Sequence, residues 1–179
     1  MNNFAWANLF RSDSKEKSVL ETLKQTHIFG SLSKRELQLV IQTIHVRDYA
    51  PGEIVFSQGE LGIGMYIILN GKVDVMATDP SGSDEPRLVT QLESGDFFGE
   101  LALVEKQGRR TATAKASVES SLIGFFKPDL LEILDRQPQT GSKIVLRLAE
   151  VLGRRLKQTS VKLTELRAET LKNSGRTKV

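Results

Sequence analysis

The residues able to do chemistry gather in one stretch, Gly95 to Ala116 (GDFFGELALVEKQGRRTATAKA). Phe98-Gly99-Glu100-Leu101-Ala102-Leu103 predicts a glycine turn running into a short helical segment. The first amides of such a segment are unpaired donors with partial positive charge, which suits an anion. Gly99 lets that anion approach the backbone, where a side chain would block it. Arg109, Arg110 and Thr111 follow, just before an alanine-rich strand. A guanidinium grips a phosphate through two parallel charged hydrogen bonds, and a hydroxyl adds a third. Glu100 would repel a phosphate, but its carboxylate accepts well from the vicinal hydroxyls of a sugar. A phosphate and a ribose hydroxyl recognised in one small cassette point to a nucleotide whose phosphate is folded close to its sugar.

Other chemistry is poorly provided for. The chain has no cysteine, which removes thiolate catalysis, zinc–thiolate sites and disulfides. His27 and His45 have no nucleophile or further ligand near them in sequence, so both are expected to be structural or exposed. The carboxylates form no recognisable acid–base pair, so neither an enzyme nor a metal site is expected.

Three regions position the cassette. From Ser14 to about Ile44 the apolar spacing is helical: Val19, Leu20 and Leu23 share one face, and Leu37, Val40, Ile41 and Ile44 another. Ser33 with Glu36 three residues later predicts a capping box at the start of the second helix. From His45 to about Phe126, short apolar runs alternate with turn signals at Pro51-Gly52, Gly59, Asn70-Gly71, Ser81-Gly82 and Ser94-Gly95. Strands are expected at Ile54–Phe56, Met65–Leu69, Val73–Met76, Leu88–Leu92, Ala112–Val118 and Ser121–Phe126. Seven or eight short strands across this region, these six among them, predict an antiparallel barrel or jelly roll. Asp79–Pro86 (DPSGSDEP) is expected to be a polar hairpin loop.

Beyond Lys127 the period becomes helical again. Asp129–Arg136 predicts a short helix opened by Pro128, and Pro138 interrupts before a long helix from about Thr140 to Leu171. Val145, Ala149, Leu152, Leu156, Thr159, Leu163, Leu166 and Thr170 keep strict 3-4 spacing along it. That is a seam of about three and a half heptads, the pattern of a parallel coiled-coil homodimer. Ile144, Leu148 and Val151 lie off the seam and are expected to pack on the barrel. The architecture is therefore α+β: N-terminal helices, a jelly-roll barrel and a long C-terminal dimerisation helix. The expected boundaries are an extension over 1–16, the barrel with flanking helices over 17–137, the dimer helix over 138–172 and a basic tail over 173–179.

The cassette resembles that of the cyclic-nucleotide-binding domain family, F-G-E-[LI]-A-L followed by R-[AST]-A-[ST]. Here it reads Phe98 to Leu103 and then Arg110-Thr111-Ala112-Thr113. Tyr49-Ala50-Pro51-Gly52-Glu53, Gln58-Gly59-Glu60 and Met65-Tyr66-Ile67-Ile68 are similar as well, so the resemblance spans nearly the whole chain. It implies that Glu100 binds the ribose 2′-hydroxyl and that Arg110 pairs with a cyclic phosphate, helped by Thr111 and the amides around Ala102, with Gly99 and Leu101 among the ligand-binding residues. Family cassettes often place proline before the arginine. This chain has Arg109, which leaves two candidate arginines and resembles the GRRTA of hyperpolarisation-activated channels. Ile63 stands where many members have Asp.

The long helix is similar to the dimer helix in the catabolite-activator branch of the family. The resemblance carries over residues Arg147-Leu148, Arg154-Arg155-Leu156 and Thr159-Ser160. It implies that Thr159 and Ser160 read an adenine amino group across the dimer, with Ser160 coming from the second subunit, and that Arg155 pairs with Glu100. A polar Thr159 in the seam also fits a residue that only sets register. Val75 and Val89 are expected in an apolar base pocket. Cyclic AMP is the expected ligand; cyclic GMP, which Thr111 also suits, and cyclic di-GMP are the alternatives. A different reading is a scaffold with a vestigial pocket.

Net charge is +3, with eight basic residues from Gly153 onward set against Glu165 and Glu169. The remainder holds 17 basic and 20 acidic residues, so the surplus sits in the C-terminal helix. Such charges fit a solvated helix face, and no specific DNA binding is expected: Lys172–Val179 is too short for a helix-turn-helix. The expectation is a cytoplasmic, stand-alone sensor that signals to a separate protein. The aromatic start (Phe4, Trp6, Leu9, Phe10) offers one place to dock it. No apolar run reaches the roughly 18 residues of a membrane span.

Overall fold

Alternating turns and short apolar runs fold into two four-stranded antiparallel sheets. The computed structural model describes residues 17–79 and 83–176, without the side chains of 79, 83, 84 and 171–176. The 1–16 extension with Phe4, Trp6, Leu9 and Phe10 lies outside the described residues, as does the end of the basic tail. A helix over 17–25 (α1) and α2 (Lys34–Ile41) lead into the strands. These are β1 (His45–Tyr49), β2 (Ile54–Phe56), β3 (Gly64–Asn70), β4 (Lys72–Asp79), β5 (Ser83–Glu93), β6 (Phe97–Phe98), β7 (Thr113–Ala116) and β8 (Ser120–Phe126). Between β6 and β7 sits α3 (Leu101–Val104); α4 (Lys127–Arg136) and α5 (Pro138–Arg176) follow. The sheet orders are β1-β8-β3-β6 and β2-β7-β4-β5, the jelly-roll arrangement expected.

Strands β3 and β8 are buried on both faces, which explains their nearly continuous apolar runs. Met65 and Ile67 of β3 and Ile123 and Phe125 of β8 face the helices, where Phe29 meets Phe125 edge-on with ring centroids 5.4 Å apart. Ile68 and Leu122 point the other way, into a second core between the sheets with Tyr49, Val73 and Phe98. The helices contribute faces at i, i+3 and i+4 spacing: Val19 and Leu23, Leu37 and Val40, Leu130 and Ile133, and Ile144, Leu148 and Val151. The last three are the residues expected to pack on the barrel, and all are buried.

Helix ends follow local chemistry. The Ser33 hydroxyl accepts from the Glu36 N–H at 3.4 Å, and the Glu36 carboxylate accepts from the Ser33 N–H at 2.8 Å, so the capping box forms. Asp129 accepts from the Phe126 N–H at 3.0 Å at the start of α4. Pro138 opens α5 rather than standing outside it, in the first helical position where a missing N–H costs nothing.

The β4–β5 hairpin is longer than its sequence suggests. Asp79 pairs with Ser83, so most of the stretch expected as a loop is strand, and Pro86 falls in the irregularity between the Ala77 and Asp79 pairings of an edge strand. A proline is tolerated there because no ladder donor is needed. From Gly153 to Thr170 every residue of α5 is exposed, including Leu156, Leu163 and Leu166. Among the described residues, no helix is long and apolar enough to cross a membrane.

Candidate functional site

Gly99, between β6 and α3, adopts φ +75°. A Cβ there would stand 2.5 Å from the Arg110 Nη1 as well as strain the backbone, so glycine is required on two counts. The Gly99 carbonyl accepts from Arg110 Nη1 at 3.1 Å, and the Gly64 carbonyl accepts from Nη2 at 2.8 Å. The Phe56 ring lies 3.9 Å below the guanidinium carbon. Backbone pairing sets the approach: the Arg110 N–H donates to Glu60 O and the Gly59 N–H donates to Arg110 O, both at 2.8 Å.

The resulting charge is unusual. Arg110 is 8% exposed, and no carboxylate among the described residues is hydrogen-bonded to it. Burial lowers its pKa from the ordinary value, although a guanidinium remains charged throughout the accessible pH range. Its Nε is buried without a partner. A buried charged donor left unsatisfied is costly, and an anion supplying oxygens to this guanidinium would relieve it.

Arg109 and Arg110, equivalent in sequence, separate in space. Arg109 is exposed, and its Nη1 donates to Gly59 O at 2.7 Å, which ties the β2–β3 loop to the cassette. Arg110 is therefore the buried anion ligand candidate. Thr111 follows it on the cavity wall.

Glu100 precedes α3 in helical conformation without capping it. It is 4% exposed, and its carboxylate accepts from Arg155 Nη1 of α5 at 2.5 Å. Arg155 also donates to Phe97 O at 3.1 Å and stacks 5.0 Å from the Phe97 ring. One helix residue thus neutralises the buried carboxylate on the cavity wall.

These groups surround a cavity of about 620 Å³. Gly99, Glu100, Leu101, Ala102, Arg109, Arg110, Thr111, Arg155, Thr159 and Val75 line it, all of them expected from the sequence. The Ala102 amide is already donated to Gly99 O at 3.2 Å. Two expected residues are absent from the lining. Ser160 lies on the exposed part of α5, and the Thr159 hydroxyl donates to its own helix at Arg155 O, 2.9 Å away. Val89 is 63% exposed. The pairing shifts between Val75↔Thr90 and Met76↔Leu88, leaving Val89 as the extra residue of a bulge. Such an insertion turns a side chain away from the face that strict alternation assigns it.

Thr90 and Leu92 therefore line the cavity opposite Val75, and sequence reasoning missed both. Phe56, Phe97, Leu152 and Leu156 complete the apolar wall. Leu152, expected in a dimer seam, is half-buried against the chain's own core. No group of three or more His, Asp or Glu able to hold a metal occurs among the described residues.

A family model described as the cyclic nucleotide-binding domain matches residues 46–137, from β1 through α4. The cyclic AMP receptor protein of Thermus thermophilus is 31% identical over 151 residues, covering 84% of this chain and 67% of the receptor. The crystal structure of the Thermus thermophilus catabolite activator protein superposes with a TM-score of 0.69 at 31% identity, over 79% of this chain and 63% of that one. A cAMP-dependent protein kinase regulatory subunit from Mycosarcoma maydis is 30% identical over 152 residues; the match takes in 84% of this chain but 27% of the subunit. The chain thus spans about two thirds of the bacterial relatives and about a quarter of the kinase subunit.

Proposed function

Given that the chain belongs to the cyclic nucleotide-binding domain family, we propose that it is a cyclic AMP receptor working as a parallel homodimer. The observation that carries this reading is Arg110: a buried guanidinium held by two carbonyls, with one donor unsatisfied, at the edge of a nucleotide-sized cavity. The cyclic phosphate pairs with Arg110, helped by Thr111 and the Gly99–Ala102 turn. The ribose 2′-hydroxyl donates to Glu100. The base lies against Val75, Thr90 and Leu92, and against Leu152, Leu156 and Thr159 of α5.

Cyclic AMP is favoured because Thr159 sits on the cavity wall, and because a relative of 31% identity is named for that ligand. Thr111 and Thr90 are hydroxyls within the same cavity and also suit guanine, which makes cyclic GMP the second reading. The exposed stripe Val145, Leu156, Leu163 and Leu166, with Ala149, Leu152 and Thr159 between, is covered by a second copy in this reading. That pairing would bring Ser160 of the second copy to the base. Ligand binding shifts the population of α5 poses, and the signal leaves through α5.

Isothermal titration calorimetry with cyclic AMP, cyclic GMP and cyclic di-GMP, on protein shown to be ligand-free, tests the reading. Micromolar or tighter binding of cyclic AMP ahead of the other two is the expected result. Preference for cyclic GMP would transfer the assignment to the second reading. Silence with all three would overturn the receptor function in favour of a scaffold.

A further inference from the structure

Glu36 is not part of the cavity wall, yet its carboxylate joins the starts of two helices. Oε2 accepts from the Ser33 N–H at 2.8 Å and closes the capping box of α2. Oε1 accepts from Lys143 Nζ at 2.7 Å and from Thr140 Oγ1 at 3.4 Å, both in the first two turns of α5. Thr140 is 4% exposed, so its hydroxyl depends on protein acceptors rather than on water. One turn further along α5, Arg147 Nε donates to Ser31 Oγ at 3.2 Å.

The other contacts that hold this part of α5 are apolar, through Ile144, Leu148 and Val151. Apolar contact is non-directional and tolerates sliding or rotation of a helix better than charged hydrogen bonds with fixed partners. Residues 140, 143 and 147 therefore set the axial position and rotation of the start of α5, as Arg155, held by Glu100 and Phe97 O, does beside the cavity. Leu152, Arg155, Leu156 and Thr159 follow on the same uninterrupted helix and line the cavity. A displacement at the pegs is carried along a rigid helix to those residues, Thr159 being about 24 Å from Lys143 at 1.5 Å per residue.

We infer that Glu36 is a positioning residue of the ligand site: by clasping Lys143 and Thr140 to the start of α2, it holds α5 in the pose that completes the cavity. The inference rests on the cyclic-nucleotide reading of that cavity. E36Q and K143M in the full chain separate the clasp from the helix cap, because Gln at this position still serves a capping box. Each variant should weaken cyclic AMP binding about five- to twentyfold, and the double variant should be no weaker than the worse single one, since both remove one interaction. Hydrogen exchange of the 150–160 amides should rise in ligand-free E36Q.

Affinities within twofold of wild type in both single variants, or losses that multiply in the double variant, would overturn the inference. Should the wild-type chain bind no cyclic nucleotide, the receptor reading fails on its own. Exchange at 150–160 in E36Q against wild type then still decides the clasp: unchanged rates reject it.

Discussion

A guanidinium at 8% exposure, with carbonyls for partners, keeps its charge and concentrates positive potential on one wall of the cavity. Charged hydrogen bonds of this kind contribute about 1.5–3 kcal/mol each. Arg110→Ala should therefore reduce cyclic AMP affinity by at least ~100-fold, about 2.7 kcal/mol. The circular dichroism spectrum should stay that of the folded chain, and near-normal affinity by calorimetry would refute the assignment. Gly99→Ala acts differently, since both its φ of +75° and the 2.5 Å approach to Arg110 oppose a methyl group. It should cost about 1–3 kcal/mol of stability, seen as a lowered denaturation midpoint, and should weaken binding through the displaced Arg110.

Whole elements decide what no single residue does. The β5 bulge sends Val89 outward and turns Thr90 and Leu92 toward the ligand cavity. Val89→Ser should leave cyclic AMP affinity within about twofold, whereas Leu92→Ser should weaken it about tenfold by removing apolar contact area. The opposite ranking in titration calorimetry would place the base elsewhere. Along α5, apolar residues exposed beyond Val151 repeat at coiled-coil spacing. Leu156→Glu should yield monomers by light scattering, and an unchanged dimer would remove the coiled-coil interface from consideration.

At the level of the molecule, the junction between the N-terminal helices and α5 bears on acid stability. Hydrogen bonding from Lys143, and then from Ser33, lowers the Glu36 pKa from 4.5 to about 2. Because the folded-state value is depressed, the associated stability is fully present above pH 4.5 and is lost as pH falls toward about 2. Denaturant midpoints of the wild-type chain should fall across that window, with other carboxylates contributing. E36Q, which cannot titrate there, should show a shallower fall; identical slopes would mean that the clasp adds nothing to stability.

Much of this molecule is legible in its residues alone. The Gly99-Glu100 and Arg110-Thr111 pairs, the turn glycines, the Ser33–Glu36 cap and the helical faces at 144, 148 and 151 are short-range patterns, and local backbone chemistry dictates them. Short apolar runs between turn signals likewise marked the strands at 65–69 and 121–126. Tertiary structure alone decided which of two adjacent arginines is buried, because that depends on the Gly59–Arg110 and Arg110–Glu60 pairing across fifty residues. It also decided the face that Val89 and Leu92 present, since one bulge residue reverses alternation without a local signature. The clasp of Glu36 on Lys143, 107 residues apart, has no sequence signal at all. Spacing along the chain encodes the partners a residue meets within its own element; contacts between elements exist only once packing has chosen their rotation and register.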